Sequence, residues 1–151
     1  MINEQGQLLS EFEAFVKPLK FPILSDFCKA LTSIQQADVD SAAYFPEVLE
    51  AFKDWFGHGK EPYLICSWGF YDRKQFETDC QLHGLDIYWL EPHISLKHQH
   101  GKLRKLKRAL GMKRALELEG LKLEGTHHRG IDDARNISKI FLKYLNQWQL
   151  P

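Results

Sequence analysis

Apolar positions along the chain follow two rhythms. Over residues 8–16 they alternate: Phe12, Ala14 and Val16 fall on one side, with Glu11, Glu13 and Phe15 on the other, which predicts a half-buried strand ended by Pro18. From Phe45 the spacing becomes helical. Phe45, Val48, Leu49, Phe52, Trp55 and Phe56 recur three or four positions apart, Pro46 fits a first turn, and Gly57 stops the run. The last segment, 132–148, repeats this spacing at Ala134, Ile137, Ile140, Phe141, Tyr144, Leu145 and Trp148 and predicts a second long helix.

Shorter signals fill the rest. A helix is expected around 25–31 with Ser25 as its cap, then a polar turn from Gln35 to Ser41. The run YLICSW at 63–68 has the short, β-rich, apolar character of a strand covered on both faces, and a helix follows at 72–83. A further strand is expected at 86–90, DIYWL, with Pro92 as a break. Helical spacing returns from Lys102 to Leu118, interrupted at Gly111, and a connection containing glycines occupies 120–130. Strands alternating with helices predict an α/β domain of two or three layers, and 151 residues suit one such domain.

Composition narrows the partners. The formal net charge is zero, so attraction to a polyanion has to come from local clustering. One cluster exists: residues 97–114 hold Lys97, Lys102, Arg104, Lys105, Lys107, Arg108, Lys113 and Arg114 without an acidic residue, a patch suited to a phosphate backbone or to an ordinary solvated helix face. The three cysteines are odd in number and set among apolar neighbours, which argues for buried thiols in a reducing compartment rather than a disulfide scaffold. No apolar run approaches the ~20 residues needed to cross a bilayer. The opening MINEQGQ lacks a secretory signal, so a cytoplasmic protein is expected.

The chemistry concentrates in THHRGIDDARNI, 126–137. On a helix starting there, Asp133 shares a side with Ile137 and Ile140 and is expected to face inward, whereas Asp132 shares one with Asn136, Lys139 and Lys143 and is expected to face solvent. An inward carboxylate needs a proton, an ion pair or a cation. Asp72 stands in the same setting, at a helix start directly after a buried strand and in line with Phe76 and Cys80. Two such carboxylates suit a hard divalent cation, and His128 in its Gly-flanked loop suits proton transfer. The plainer reading of each aspartate is a helix cap.

These strings resemble a known family. HHRGIDDARNI, with SWGFYDRKQF at 67–76, LSDFCKALTSIQQADVDSA at 24–42 and FPEVLEAFKDW at 45–55, is similar to the DEDDh 3′-5′ exonucleases, nearest to the branch of histone-mRNA and enhanced-RNAi exonucleases and their bacterial relatives. The resemblance implies an RNase H-like mixed sheet flanked by helices, and hydrolysis of single-stranded RNA or DNA to nucleoside monophosphates with two Mg²⁺ or Mn²⁺ ions. It implies that Asp72 and Asp133 hold metal and that His128 is the catalytic histidine. Trp68, Leu31 and Thr32 match positions that contact the terminal nucleotide, and Lys102 and Arg104 are expected to seat the strand. The family's Asp-x-Glu motif has no counterpart; the EFE of Glu11–Glu13 lies in the context of a later strand. The first strand and most of the second are therefore expected to be missing, an Asp-x-Glu is expected in frame upstream of Met1, and the exposed sheet edge is expected to drive self-association. A relative that binds nucleic acid or protein without hydrolysis is the alternative.

Overall fold

The computed structural model describes residues 1–151. Seven helices surround a sheet of two parallel strands. The helices are α1 (Asp26–Thr32), α2 (Gln36–Asp40), α3 (Phe45–Trp55), α4 (Tyr71–His83), α5 (Leu96–Leu103), α6 (Met112–Glu119) and α7 (Gly130–Lys143). Strands β1 (Ile65–Ser67) and β2 (His93–Ser95) pair in register, Cys66 opposite Ile94, with α4 as the crossover between them. Ser25 caps α1 by accepting the Cys28 N–H at 3.1 Å, and Pro46 sits in the first turn of α3, both as the sequence predicts.

Two apolar clusters hold the layers together. On one side Phe45, Leu49 and Phe56 of α3 and the residue after it pack against Cys80, Trp89 and Leu90. Phe52 stacks nearly flat on Phe76 at 6.2 Å, joining α3 to α4. On the other side β2, α5, α6 and α7 enclose Ile94, Leu96, Leu116 and Ile140. Each fully buried side chain of this size stabilises the fold by roughly 1.5–3 kcal/mol relative to exposure. Cys66 is a packing residue, its thiol pushed up to about 12 by burial.

Besides the polar turn expected at Gln35–Ser41, which instead holds the short helix α2 (Gln36–Asp40), four expectations are corrected. Residues 8–16 form no strand: their only ladder-like contacts nearby are single bridges, Ile2 to Leu8 and Lys17 to Tyr44. Side chains hold the segment instead. Glu11 takes two hydrogen bonds from Arg135 at 2.8 Å each, Glu13 pairs with Arg129 at 2.9 Å, and Phe12 packs on Phe52 and Trp55. The alternation thus reports one apolar side and one ion-paired side without a strand partner. Residues 86–90 form no strand either. Tyr88–Leu90 is a 3₁₀ turn, begun by Asp86 accepting the Tyr88 N–H at 3.1 Å, and it buries the adjacent Trp89 and Leu90, which a strand would point to opposite faces. The strand lies beyond Pro92.

The third correction concerns 102–118. Helix α5 starts at Leu96, and the chain leaves helical geometry over 104–111, folding back so that Ala109 lies against Gly101; a Cβ added at Gly101 would stand 3.4 Å from that of Ala109. The fourth concerns 132–148, because α7 ends at Lys143. Trp148 is buried beyond the helix end, its indole N–H donating to the Phe141 carbonyl at 2.9 Å.

A buried carboxylate links the last three helices. Glu119, at the end of α6, has a side chain only 1% exposed. It lies 2.9 Å from His100 Nε2 of α5 and 2.9 Å from Lys143 Nζ of α7, and it accepts the Tyr144 hydroxyl at 2.9 Å. Burial alone would raise this carboxyl, but the hydrogen bonds from Lys143, His100 and Tyr144 outweigh it and hold it at about 2. Because the folded value lies below the ordinary 4.5, this contribution to stability is complete above the carboxylate range and is lost as pH falls towards about 2. Glu119→Gln is expected to cost about 3 kcal/mol at neutral pH and to flatten the acid limb of stability between about pH 4.5 and 2, measured by urea unfolding across pH. An unchanged acid limb would show that the cluster does not couple protonation to folding.

Candidate active site

Asp72 lies in the first turn of α4, just past the end of β1. The turn before it is fixed by Ser67, whose hydroxyl donates to the Gly69 carbonyl at 2.7 Å and so accepts from His93 Nε2 at 2.8 Å. That leaves Nδ1 of His93 buried without a partner and unprotonated, and burial, followed by the charge of Arg73, holds this histidine below its ordinary value. Gly69 has φ +115°, a conformation that favours glycine. Asp72 itself is exposed, in contrast to the inward position expected of it. Its carboxyl is nevertheless raised, first because neighbouring protein displaces part of its hydration and then because Asp133 is close enough for its negative charge to act. The two sequence-predicted carboxylates, from different elements, are therefore within electrostatic reach of each other.

Asp133 occupies the first turn of α7 and turns back onto the preceding loop. One oxygen accepts the backbone N–H of His128 at 3.2 Å and the other lies 2.9 Å from His127 Nδ1. His128 has φ +71°, uncommon for a residue with a side chain, and its ring stacks on that of His127 at 3.9 Å. Ligand atoms of His127, His128 and Asp133 all lie within 4.8 Å of one another. His127 is the residue that the sequence reading missed; the only signal was its place beside His128.

The outward orientation expected of Asp132 is incorrect. Its side chain is 19% exposed against 25% for Asp133. Asp132 accepts the Thr126 N–H at 2.9 Å, pairs with Arg135 at 3.2 Å, and fills the space where a Cβ at Gly125 would stand 2.3 Å from its carboxyl carbon. Asn136, placed on the same outward side, is fully buried and exchanges hydrogen bonds with the backbone of Glu124 at 2.7 and 3.0 Å. Helical spacing identified the shared side correctly. The segment leading to Gly125 packs over that side, which spacing alone does not reveal.

The remaining candidates lie in varied settings. Trp68 is half-buried, its indole N–H donating to the Leu110 carbonyl at 3.1 Å, so it braces the 104–111 loop. Leu31 is 39% exposed at the end of α1, and the Thr32 hydroxyl donates to the Cys28 carbonyl at 2.8 Å. Lys102 is exposed, while Arg104 leans on the buried Glu119 at 3.3 Å. No hydrogen bond joins these five to the aspartates.

The RNase T exonuclease profile matches residues 1–141. The chain belongs to the RNase T exonuclease family. Among its relatives, 3′-5′ exonuclease eri1 of Schizosaccharomyces pombe is 30% identical over 95% of this chain and 57% of its own length. Human 3′-5′ exoribonuclease 1 is 33% identical over 89% of this chain and 40% of its own. The chain thus spans about half the length of these relatives. The nuclease domain of 3′hExo, a DEDDh family member solved bound to rAMP, superimposes with a TM-score of 0.90 at 30% identity, covering 99% of this chain and 80% of that one. A 3′-exonuclease structure described as recognising the histone mRNA stem-loop gives a TM-score of 0.89 at 29% identity, covering 95% of this chain and 68% of that one. Branch and fold are those expected: an RNase T family chain of the Eri1 and 3′hExo type, with helices around a small parallel sheet.

In this family member the two neighbouring aspartates are expected to separate by function. Asp132→Asn should lower stability by about 1–2 kcal/mol, because it weakens the acceptor for the Thr126 N–H and the pair with Arg135. Asp133→Asn should change stability less and weaken Mn²⁺ binding more. Thermal unfolding and Mn²⁺ calorimetry on both variants decide it, and the reverse pattern would invert the two roles.

Proposed function

We propose that the chain is a divalent-metal-dependent 3′-5′ exonuclease domain acting on single-stranded RNA or DNA and releasing nucleoside monophosphates. The observation that carries this reading is the cluster of His127, His128 and Asp133 ligand atoms within 4.8 Å of one another, with Asp72 of a separate element within electrostatic reach. Relatives named as exoribonucleases favour RNA as the substrate.

The residues fit Mg²⁺ or Mn²⁺. Asp72 and Asp133 are hard oxygen donors whose mutual repulsion a cation would relieve, and two carboxylates plus water and phosphate oxygens match how such ions are usually held. When bound, a divalent ion neutralises phosphate charge and eases ionisation of the attacking water. His128, exposed at the mouth of the site, takes the proton from that water, and its left-handed backbone keeps its N–H on Asp133 while the ring stays free of protein hydrogen bonds. His127 steadies the other Asp133 oxygen. Trp68, Leu31 and Thr32 contact the terminal nucleotide, and Lys102 and Arg104 attract its backbone. We also assign the protein to the cytoplasm, where its three free cysteines would remain thiols.

A two-ion site calls for more carboxylates than these. The 151 residues contain no Asp-x-Glu string, which favours a second reading, a relative that binds nucleic acid or protein without cleaving it. A 5′-labelled single strand incubated with Mn²⁺ separates the two. Metal-dependent shortening by single nucleotides, reduced at least a hundredfold by Asp133→Asn, supports the first; salt-sensitive binding without shortening supports the second. The absence of both shortening and binding would exclude a nucleic-acid role.

Strand β1 has one hydrogen-bonded neighbour, β2, so its other edge is open to a second copy. Self-association through that edge is expected as a concentration-dependent shift in size-exclusion chromatography, with Ile65, whose N–H already donates to the Pro92 carbonyl at 2.9 Å, protected in both forms and the amides of 63–68 that point away from β2 protected only in the associated one. A monomer with those amides already protected would exclude it.

A further inference from the structure

The surface next to Asp72 carries a feature that the metal-binding carboxylates do not use. Phe70, the residue before α4, is 55% exposed. Its ring stacks on that of His98 at 5.0 Å with an interplanar angle of 26°, and lies tilted at 47° to the His93 ring with the centroids 5.9 Å apart. His98 lies in the first turn of α5, where Ser95 Oγ at 2.6 Å from Nδ1 fixes the ring orientation. Beside the pair, the Lys97 stem passes near Gly69, within 3.7 Å of where a Cβ would stand. Lys102, four residues beyond His98, is on the same side of α5 and begins the basic, acid-free stretch.

An exposed apolar ring gains little by lying in water, yet this one is held in a fixed orientation by neighbours that are themselves fixed. Flat aromatic surface beside cationic side chains is the chemistry that receives a nucleobase and its phosphates, and stacking is tolerant of base identity because every base offers a π-face. Its position two residues before Asp72 makes it continuous with the carboxylate site.

We propose that the Phe70–His98 pair is a stacking platform for one nucleobase of a single strand whose 3′ end reaches Asp72, with Lys97 and Lys102 neutralising the phosphates beside it. This rests on the reading of the chain as a domain that takes single-stranded nucleic acid. The platform gives that site a hold on the strand that is independent of metal and of base sequence.

The test is binding of the 151-residue protein to a 5′-fluorescein-labelled, unstructured single strand of about twelve nucleotides, followed by anisotropy in EDTA to prevent cleavage. A single abasic position is walked through the last five nucleotides. Wild-type protein should lose about five- to tenfold in affinity at one position of the walk. Phe70→Ala should lose the same factor on the intact strand and become indifferent to that abasic position, while Phe70→Trp should restore both the affinity and the dependence. Wild-type binding that no abasic position weakens, or a Phe70→Ala variant that binds as wild type does, overturns the platform and leaves the nucleic-acid reading in place. Absence of any salt-sensitive binding by the wild type overturns both.

Discussion

A carboxylate shut away from water has to be surrounded by donors, and Glu119 imposes that condition on three consecutive helices. His100 comes from α5, Lys143 and Tyr144 from the end of α7, and Glu119 itself closes α6. The apolar cluster around Leu96, Leu116 and Ile140 supplies most of the burial energy there, but such packing tolerates small slides. The ion cluster does not tolerate them, because moving any one helix strands a charge. It therefore fixes the axial position of α7 and with it the height at which Asp133 is presented.

At its other end α7 is held by different means. Arg129 and Arg135 reach across to Glu13 and Glu11, so the extended N-terminal segment is fastened to the helix by charge where no strand ladder forms. Exposed pairs of this kind are individually weak. Here two of them act along one segment, and Arg129 also lies 4.9 Å over the Phe15 ring, which adds a cation–π contact to the same attachment. Asp132 and Asn136 complete the hold by gripping the backbone of 124–126, so the loop carrying His127 and His128 is attached to the first turn of the helix it precedes.

How much of this was legible in the sequence depended on whether a pattern needed a partner to be interpreted. Helix α3 was readable because Phe45, Leu49, Phe52 and Phe56 with Pro46 and Gly57 specify a helix, its buried side and both ends locally. The alternation at Glu11–Val16 was read as a strand because period two usually means a ladder, but a ladder needs a neighbour, and Arg129 and Arg135, more than a hundred residues away, took that role. The pair Trp89-Leu90 misled for a similar reason: both side chains are buried, and only the turn begun by Asp86 makes that possible for adjacent residues. At the site, the strings that carry Asp72, Asp133 and His128 are legible as a family likeness. The orientation of Asp132 was not recoverable, since it depends on a loop that packs against α7 from outside the helix's own periodicity.

The two halves of the site are held very differently, and that difference bears on what the site does. Asp133 is tied by two hydrogen bonds to the loop before it, while Asp72 has no side-chain hydrogen bond and stays open to solvent. The Asp72 carboxyl is raised, first by loss of hydration and then by the charge of Asp133. Glu119 has Lys143, His100 and Tyr144 around it, whereas neither Asp72 nor Asp133 forms a salt bridge with a lysine or arginine. Electrostatic tension of this sort is relieved by an outside positive charge. Five basic side chains are committed elsewhere: Arg129 and Arg135 to the N-terminal glutamates, Arg104 and Lys143 to Glu119 and Arg73 to Glu77 and Glu91. A cation brought from solution is the counter-charge that the proposed function calls for beside Asp72 and Asp133.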